Sequence, residues 1–171
     1  MCSSDLMSAS RLPDAEELLQ QLIAQMRPAV TPETGLIGIV TGGAWLAERL
    51  HAALKLAVPC GTLDVSFYRD DFQRKGLKRK VAPSDIPFDV EGRDLILVDD
   101  VLYTGRTIRA AMNELFDYGR PARIRLASLV DRGGRELPIA PQFVGATIEI
   151  TRNVELKRDA QGRLSLAYST D

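Results

Sequence analysis

Four apolar residues, Leu95, Ile96, Leu97 and Val98, run without a break into the acidic pair Asp99 and Asp100. A short unbroken apolar run of this kind suits a strand covered on both faces, which is the rule in parallel sheets flanked by helices. The run therefore constrains the fold before anything else is considered. It also sets a chemical puzzle. Charged carboxylates are costly to remove from water unless something pairs with them. Adjacent side chains in a strand point opposite ways, but at a strand end both can tilt to the rim and meet a ligand. Immediately downstream, Thr104-Gly105-Arg106-Thr107 opens a helical pattern over residues 106–118, closed by Gly119 and Pro121.

The rest of the chain alternates in the same way. Residues 13–28 read as a helix: Pro13 and the acids Asp14, Glu16 and Glu17 favour its start, and Leu18, Leu19, Leu22, Ile23 and Met26 form one stripe. Residues 35–40 suit a buried strand, Thr41-Gly42-Gly43 a turn, and residues 44–56 a second helix. Residues 62–68 alternate like a strand. Residues 69–92 have neither period and read as a long loop, disordered or functional. Strands are expected at 94–98, 122–130 and from Phe143, followed by a hairpin around Asp159 to Gly162. Strands alternating with helices imply an α/β fold with a mainly parallel sheet flanked by helices and a C-terminal β-hairpin. The chain's 171 residues suffice for one domain. That domain is expected over residues 11–171, with 1–10 a tail whose residues 1–6 read as non-native.

Composition excludes several function classes. The net charge of −1 provides no overall basic field for nucleic acid, although residues 73–80 are locally basic. Cys2 and Cys60 have no metal-ligand spacing, and a single histidine, His51, excludes a multi-histidine metal site. No apolar run is long enough for a membrane helix. With no visible signal peptide, the expected location is the cytoplasm. Neither GxxxxGK[ST] nor GxGxxG occurs.

In open α/β sheets ligands bind at the carboxyl ends of strands. Three polar or glycine-rich loops fall there: Thr41 to Gly43, Asp99 to Gly105, and Asp131 to Glu136. The first amides of a helix have no internal acceptors, so Thr104 to Thr107 can cradle a phosphomonoester; a plain helix cap by Thr104 is the simpler alternative. Two carboxylates beside such a cradle imply sugar hydroxyls, a divalent cation such as Mg2+, or both.

Leu95 to Thr107 closely resembles the phosphoribosyl pyrophosphate motif of type I phosphoribosyltransferases. DVSFYRDDF from Asp64, DIPFDV from Asp85 and YGRPARIRLASLVDRGGRELPI from Tyr118 narrow the resemblance to the bifunctional pyrimidine operon regulator and uracil phosphoribosyltransferase family. The resemblance implies a pyrimidine operon regulator that converts uracil and phosphoribosyl pyrophosphate to UMP and pyrophosphate, with Mg2+ as cofactor. Asp99 and Asp100 would hold the ribose hydroxyls and the metal, acting with Arg69 in catalysis. Phosphoribosyl pyrophosphate would meet Thr41, Gly42, Gly43, Asp99, Asp100, Val101, Leu102, Tyr103, Thr104, Gly105, Arg106 and Thr107. Val130, Asp131 and Arg132 would border uracil, and Arg69 with the basic stretch after it would form a flexible flap. Arg132 and Arg135 are the candidates for touching pyrimidine leader RNA. A homodimer or larger homo-oligomer, without a membrane partner, is also implied.

Two departures from the family pattern stand out. Its members read GIKTRG where this chain reads GIVTGG, so Val40 and Gly42 replace two cations. RNA-binding members read DRGHREL where this chain has Gly134 for histidine, and their first helix carries threonine and histidine where this one reads QQLIAQ. A UMP-sensing regulator with little or no catalysis is therefore the alternative function.

Overall fold

A computed structural model describes residues 12–65 and 84–169. Helix α1 (Ala15–Met26) starts at Asp14, whose side chain accepts from the Glu16 amide. A 3-10 turn over Arg27–Ala29 follows, then β1 (Gly35–Ile39) and α2 (Gly42–Leu54). Next come β2 (Gly61–Leu63), β3 (Asp94–Leu102), α3 (Arg106–Leu115), β4 (Arg123–Asp131) and β5 (Phe143–Thr147). The strands lie in the order β2-β1-β3-β4-β5, and every pairing is parallel. The antiparallel hairpin of β6 (Val154–Arg158) and β7 (Leu164–Tyr168) forms a separate small sheet.

The apolar run explains why β3 is central. Leu95, Ile96, Leu97 and Val98 are each fully buried. Ile96 and Val98 face a core formed with α1 and α2, while Leu95 and Leu97 face a second core with α3. Burying large aliphatic side chains on both faces stabilises such a strand by about 1.5–3 kcal/mol per residue.

The structure differs from the sequence reading in three places that bear on the site. First, β3 does not stop at Val98 but continues to Leu102, pairing Asp99 with Ser128, Val101 with Val130 and Leu102 with Asp131. The aspartates thus belong to the strand, because the β4 backbone satisfies theirs. Second, Gly42 and Gly43 are not a separate turn but the first residues of α2. Third, the end of the expected loop is docked: Thr62 and Asp85 form a bridge, and Ile86, Phe88 and Val90 pack on the second core. The expected flap residues 69–83, Arg69 included, lie outside the described residues, as do the tail expected at 1–10 and positions 66–68 of the strand expected at 62–68.

Two ionic clamps hold the frame. Glu16 of α1 receives both guanidinium nitrogens of Arg49 on α2, at 2.7 and 3.1 Å, and the Leu164 amide of β7 at 2.8 Å. This carboxylate therefore joins both helices to the hairpin. At the opposite end of the sheet, Asp94 accepts from Arg123 at 3.0 and 3.2 Å, from Arg125 at 2.8 Å and from Thr34 at 3.3 Å.

Burial by itself raises the Asp94 carboxyl, but the Arg123 hydrogen bond and the charges of Arg125 and Arg123 outweigh it and hold Asp94 below the usual range. A carboxylate lowered in the folded state contributes stability above its unfolded value, about 3.9, and loses it as pH falls through the folded value. Urea unfolding midpoints are therefore expected to fall below about pH 4, and less steeply in Asp94→Asn than in the parent chain. Equal slopes in the two proteins would remove Asp94 from the acid response.

Candidate active site

The three glycine-rich or polar loops converge at the carboxyl edge of the sheet, as the strand order requires. Asp99 and Asp100 leave β3 on opposite faces. The Asp99 residue is 4 % exposed and lines a cavity of about 110 Å³ with Val101, Tyr103, Thr104, Gly105 and Thr107. Asp100 turns toward the start of α2, so close that a Cβ on Gly42 would collide with its Oδ2. One oxygen of each carboxylate is fixed by the backbone: Asp99 Oδ1 accepts from the Asp100 amide at 2.9 Å, and Asp100 Oδ1 from the Val101 amide at 2.8 Å. One carboxylate lies toward the Thr104 to Thr107 tip and the other toward the Thr41-Gly42-Gly43 loop.

The cradle is the tip between β3 and α3. Gly105, at φ +97°, turns the chain into the helix and is its N-cap without a side-chain bond. Thr104, one residue before that cap, accepts the Arg106 amide on Oγ1 at 3.2 Å, so it occupies one free amide without being the N-cap of the simpler alternative. First-turn amides have no intrahelical acceptors and attract an anion. Arg106 points away from the cavity into an exposed ion pair with Glu136 at 2.9 Å.

Loop 131–139 is fastened to this tip along its length. The Arg132 amide donates to the Leu102 carbonyl at 3.0 Å, and the Glu136 and Leu137 amides to the Thr104 carbonyl at 2.9 and 3.1 Å. Arg132, only 7 % exposed, bonds Asn153 Oδ1 at 2.9 Å and the Ile150 carbonyl at 3.1 Å, and its guanidinium lies 4.0 Å from the Tyr103 ring centroid. Its Nε is buried without a partner. Arg135 also turns inward, onto Asp131, Tyr103 and Ile139. Of the residues expected at the base side, Val130 is fully buried in the first core, so only its backbone is available to a ligand. Asp131 accepts from the Gly133 amide and from Arg135.

Sequence reading missed Asn153 and Ile150, the partners of Arg132, and the pairing of Glu136 with Arg106. They lie far along the chain or in an exposed loop, and no local pattern marks them. Trp45 packs against the first core with Arg158 over its ring at 4.7 Å, and His51 Nε2 meets the Val58 carbonyl at 2.7 Å beside the end of α2. Both are structural. Burial, then the charge of Glu48, pushes the Cys60 thiol up to about 11, which keeps it in the unreactive thiol form.

Gly134 has φ +76°, and a Cβ there would run into the Tyr103 ring. This is the position at which histidine was expected from the family pattern. Glycine leaves room for the ring to lie over Arg132. Gly134→Ala is expected to displace Tyr103, removing a cation–π contact worth about 0.5–2 kcal/mol and adding backbone strain of about 1–2 kcal/mol. The check is tyrosine fluorescence together with the thermal midpoint; an unmoved spectrum would contradict the seating of Tyr103 on Gly134.

Among the described residues no cluster of three or more His, Cys, Asp or Glu could hold a metal ion. Asp99 and Asp100 nonetheless fit Mg2+, which binds through one or two carboxylates and takes its other oxygens from water and phosphates. No helix among the described residues is long and apolar enough to cross a membrane.

Residues 9–161 match the family of the phosphoribosyl transferase domain. The chain is 48% identical over 159 residues to the bifunctional protein PyrR of Pseudomonas savastanoi pv. phaseolicola, covering 91% of this chain and 94% of that protein. It is 51% identical over 160 residues to the bifunctional protein PyrR of Pseudomonas paraeruginosa, covering 91% and 94%. The fold is shared with a hypoxanthine-guanine phosphoribosyltransferase of Bacillus anthracis, at TM-score 0.67 and 20% identity, covering 91% of this chain and 96% of that one. The hypoxanthine phosphoribosyltransferase of Trypanosoma cruzi matches at TM-score 0.66 and 21% identity, covering 92% and 95%.

Proposed function

Because this chain belongs to the phosphoribosyl transferase domain family and, within it, to the bifunctional PyrR proteins, we propose that it is a pyrimidine operon regulator that also makes UMP from uracil and phosphoribosyl pyrophosphate. The observation that carries the reading is one shared cavity in which Asp99 faces the Tyr103 to Thr107 tip. A phosphoribosyl group needs these two features side by side: carboxylates for its ribose hydroxyls and helix-end amides for its 5′-phosphate.

In the transfer, uracil N1 bonds to ribose C1 and gives up its proton to water or the departing pyrophosphate, while the bond from C1 to pyrophosphate breaks. Positive charge develops at the sugar, and fixed carboxylates nearby stabilise it without reorganising. Asp99 and Asp100 hold the hydroxyls, and Thr104, Gly105, Arg106 and Thr107 hold the phosphate. Thr41, Gly42 and Gly43 offer backbone groups to pyrophosphate, Val101 to Tyr103 line the ribose, and the backbone of Val130, Asp131 and Arg132 borders uracil. Asp99 and Asp100 would hold Mg2+, partly through water or ribose oxygens, and the ion would supply positive charge against the pyrophosphate. Arg69 and the basic residues 73–80 are assigned to a flap that excludes water, which otherwise competes with uracil. The protein is assigned to the cytoplasm as a single domain over 11–171, working as a homodimer or larger homo-oligomer.

RNA binding is the second activity of the reading. Arg132 and Arg135 were its sequence candidates, yet both spend their guanidiniums on the protein. Phosphate contacts would then have to come largely from other basic residues. A salt-dependent gel shift with pyrimidine leader RNA, with and without UMP, tests this activity.

A UMP-sensing regulator with little turnover is favoured by one observation, the absence of cations at Val40 and Gly42. Radiolabelled uracil with phosphoribosyl pyrophosphate and Mg2+ decides between the two. UMP formation supports the transferase. UMP binding without turnover supports the sensor.

A further inference from the structure

Arg135 brings together three acceptors from three places in the chain. Its Nε donates to the Ile139 carbonyl at 2.7 Å, Nη1 to the Tyr103 carbonyl at 2.6 Å, and Nη2 to Asp131 Oδ2 at 2.6 Å. Asp131 closes β4 at the edge assigned to the base. Tyr103 precedes Thr104 in the tip assigned to the 5′-phosphate. The Arg135 and Asp131 side chains are 23 % and 11 % exposed, so their charge-assisted bonds are short and shielded from competing water. A guanidinium is planar and offers its donors as a fixed fork, so two acceptors on it keep a set separation; an ammonium on a flexible stem imposes none.

We propose that Arg135 is a positioning residue for the transfer reaction, a strut that fixes the Asp131 carboxylate, at the base-side end of β4, relative to the 5′-phosphate cradle. The inference rests on the transferase reading. Arg135 itself touches neither substrate. The amide bonds from Arg132, Glu136 and Leu137 hold the loop beside the tip, but none of them engages the Asp131 carboxylate. Among the described residues Arg135 is the side chain that does, beside the Gly133 amide on the other carboxylate oxygen, while also holding the tip.

A strut predicts a particular pattern of loss. UMP spans both ends of the site, whereas ribose 5-phosphate reaches the cradle alone. On the full chain, Arg135→Gln is expected to weaken UMP binding by about tenfold or more, because UMP must then order the released Asp131 side chain and its loop as it binds. Ribose 5-phosphate binding is expected to weaken less than about threefold, because its contacts remain on one side of the strut. Misplacement of reactants falls on the chemical step, so kcat should drop by a larger factor than KM for phosphoribosyl pyrophosphate rises. Arg135→Lys keeps the charge for Asp131 without the fork and should fall between the two. Calorimetry with both ligands, steady-state kinetics and a thermal melt give all the readouts. Equal losses for UMP and ribose 5-phosphate, or no loss for either, would overturn the strut. Loss of leader-RNA binding with the UMP to ribose 5-phosphate ratio unchanged would overturn it in favour of an RNA contact. If the parent chain neither binds nor makes UMP, the transferase reading itself fails and the strut with it.

Discussion

Replacing Asp99 and Asp100 together by asparagine is expected to abolish Mg2+-dependent binding of phosphoribosyl pyrophosphate and to lower UMP formation by at least about 10²–10³-fold. The amide is close in size to the carboxylate, and each asparagine keeps an oxygen able to accept from the following backbone amide, as Asp99 Oδ1 and Asp100 Oδ1 do now. The fold should therefore survive, and the thermal midpoint should stay within a few degrees of the parent. What disappears is charge. A neutral amide offers magnesium a poor ligand and does nothing for a positive centre at the sugar. Because the carboxylates diverge, Asp99 into the cavity and Asp100 toward Gly42, the single variants should not be equivalent. Asp99→Asn should weaken ribose 5-phosphate, which occupies the cradle side. Asp100→Asn should act mainly on the ligand that carries pyrophosphate. Calorimetry with each ligand, with and without Mg2+, separates them. Unchanged binding in the double variant would overturn the assignment of the pair.

Where local pattern and tertiary packing agree, the sequence was enough. Leu95 to Val98 read as a doubly covered strand, and they lie at the centre of a parallel sheet between two cores. The stripe from Leu18 to Met26 became the buried face of α1. The hairpin around Asp159 to Gly162 formed as its turn residues imply. The strand's end was misplaced because two aspartates look like a stop. Only the β4 partners Ser128, Val130 and Asp131 extend it, and a pairing across about 30 residues leaves no local trace. Gly42 and Gly43 read as a turn because glycine is a poor helix former; packing against β3 overrides that preference. The helix start at Thr104 to Thr107 was legible because the local pattern marks it, and α3 begins at Arg106. The wiring of Arg132 and Arg135 was not, since exposed and inward-turned arginines are written with the same letter.

Gly43→Ala is the sharpest test of that packing. Alanine favours a helix over glycine by about 1 kcal/mol, so local preference alone predicts a more stable protein. The structure predicts the reverse. A Cβ on Gly43 would collide with the Val98 carbonyl and come within 3.2 Å of Asp99 Cα, both of them backbone. Neither can yield, because β3 is paired on one side to β1 and on the other to β4. The start of α2 must lift instead, at an overpacking cost of about 1–3 kcal/mol, which offsets the helix gain and exceeds it over most of that range. The thermal midpoint should fall by roughly 2–4 °C per kcal/mol of net loss. The functional loss should be larger, since displacing a substrate-positioning loop by about 1 Å is enough for a hundredfold fall in kcat/KM. Gly42→Ala is the internal comparison. Its Cβ meets the Asp100 side chain rather than backbone; rotation moves the carboxyl group away, and Asp100 Cβ at 3.0 Å needs a shift of only a few tenths of an ångström. That variant should keep its stability yet lose Mg2+-dependent affinity, because the rotation carries a carboxylate out of place. A Gly43→Ala protein as stable and as active as the parent would mean that α2 is not seated on β3, and the placement of the pyrophosphate loop beside the aspartates would have to be given up.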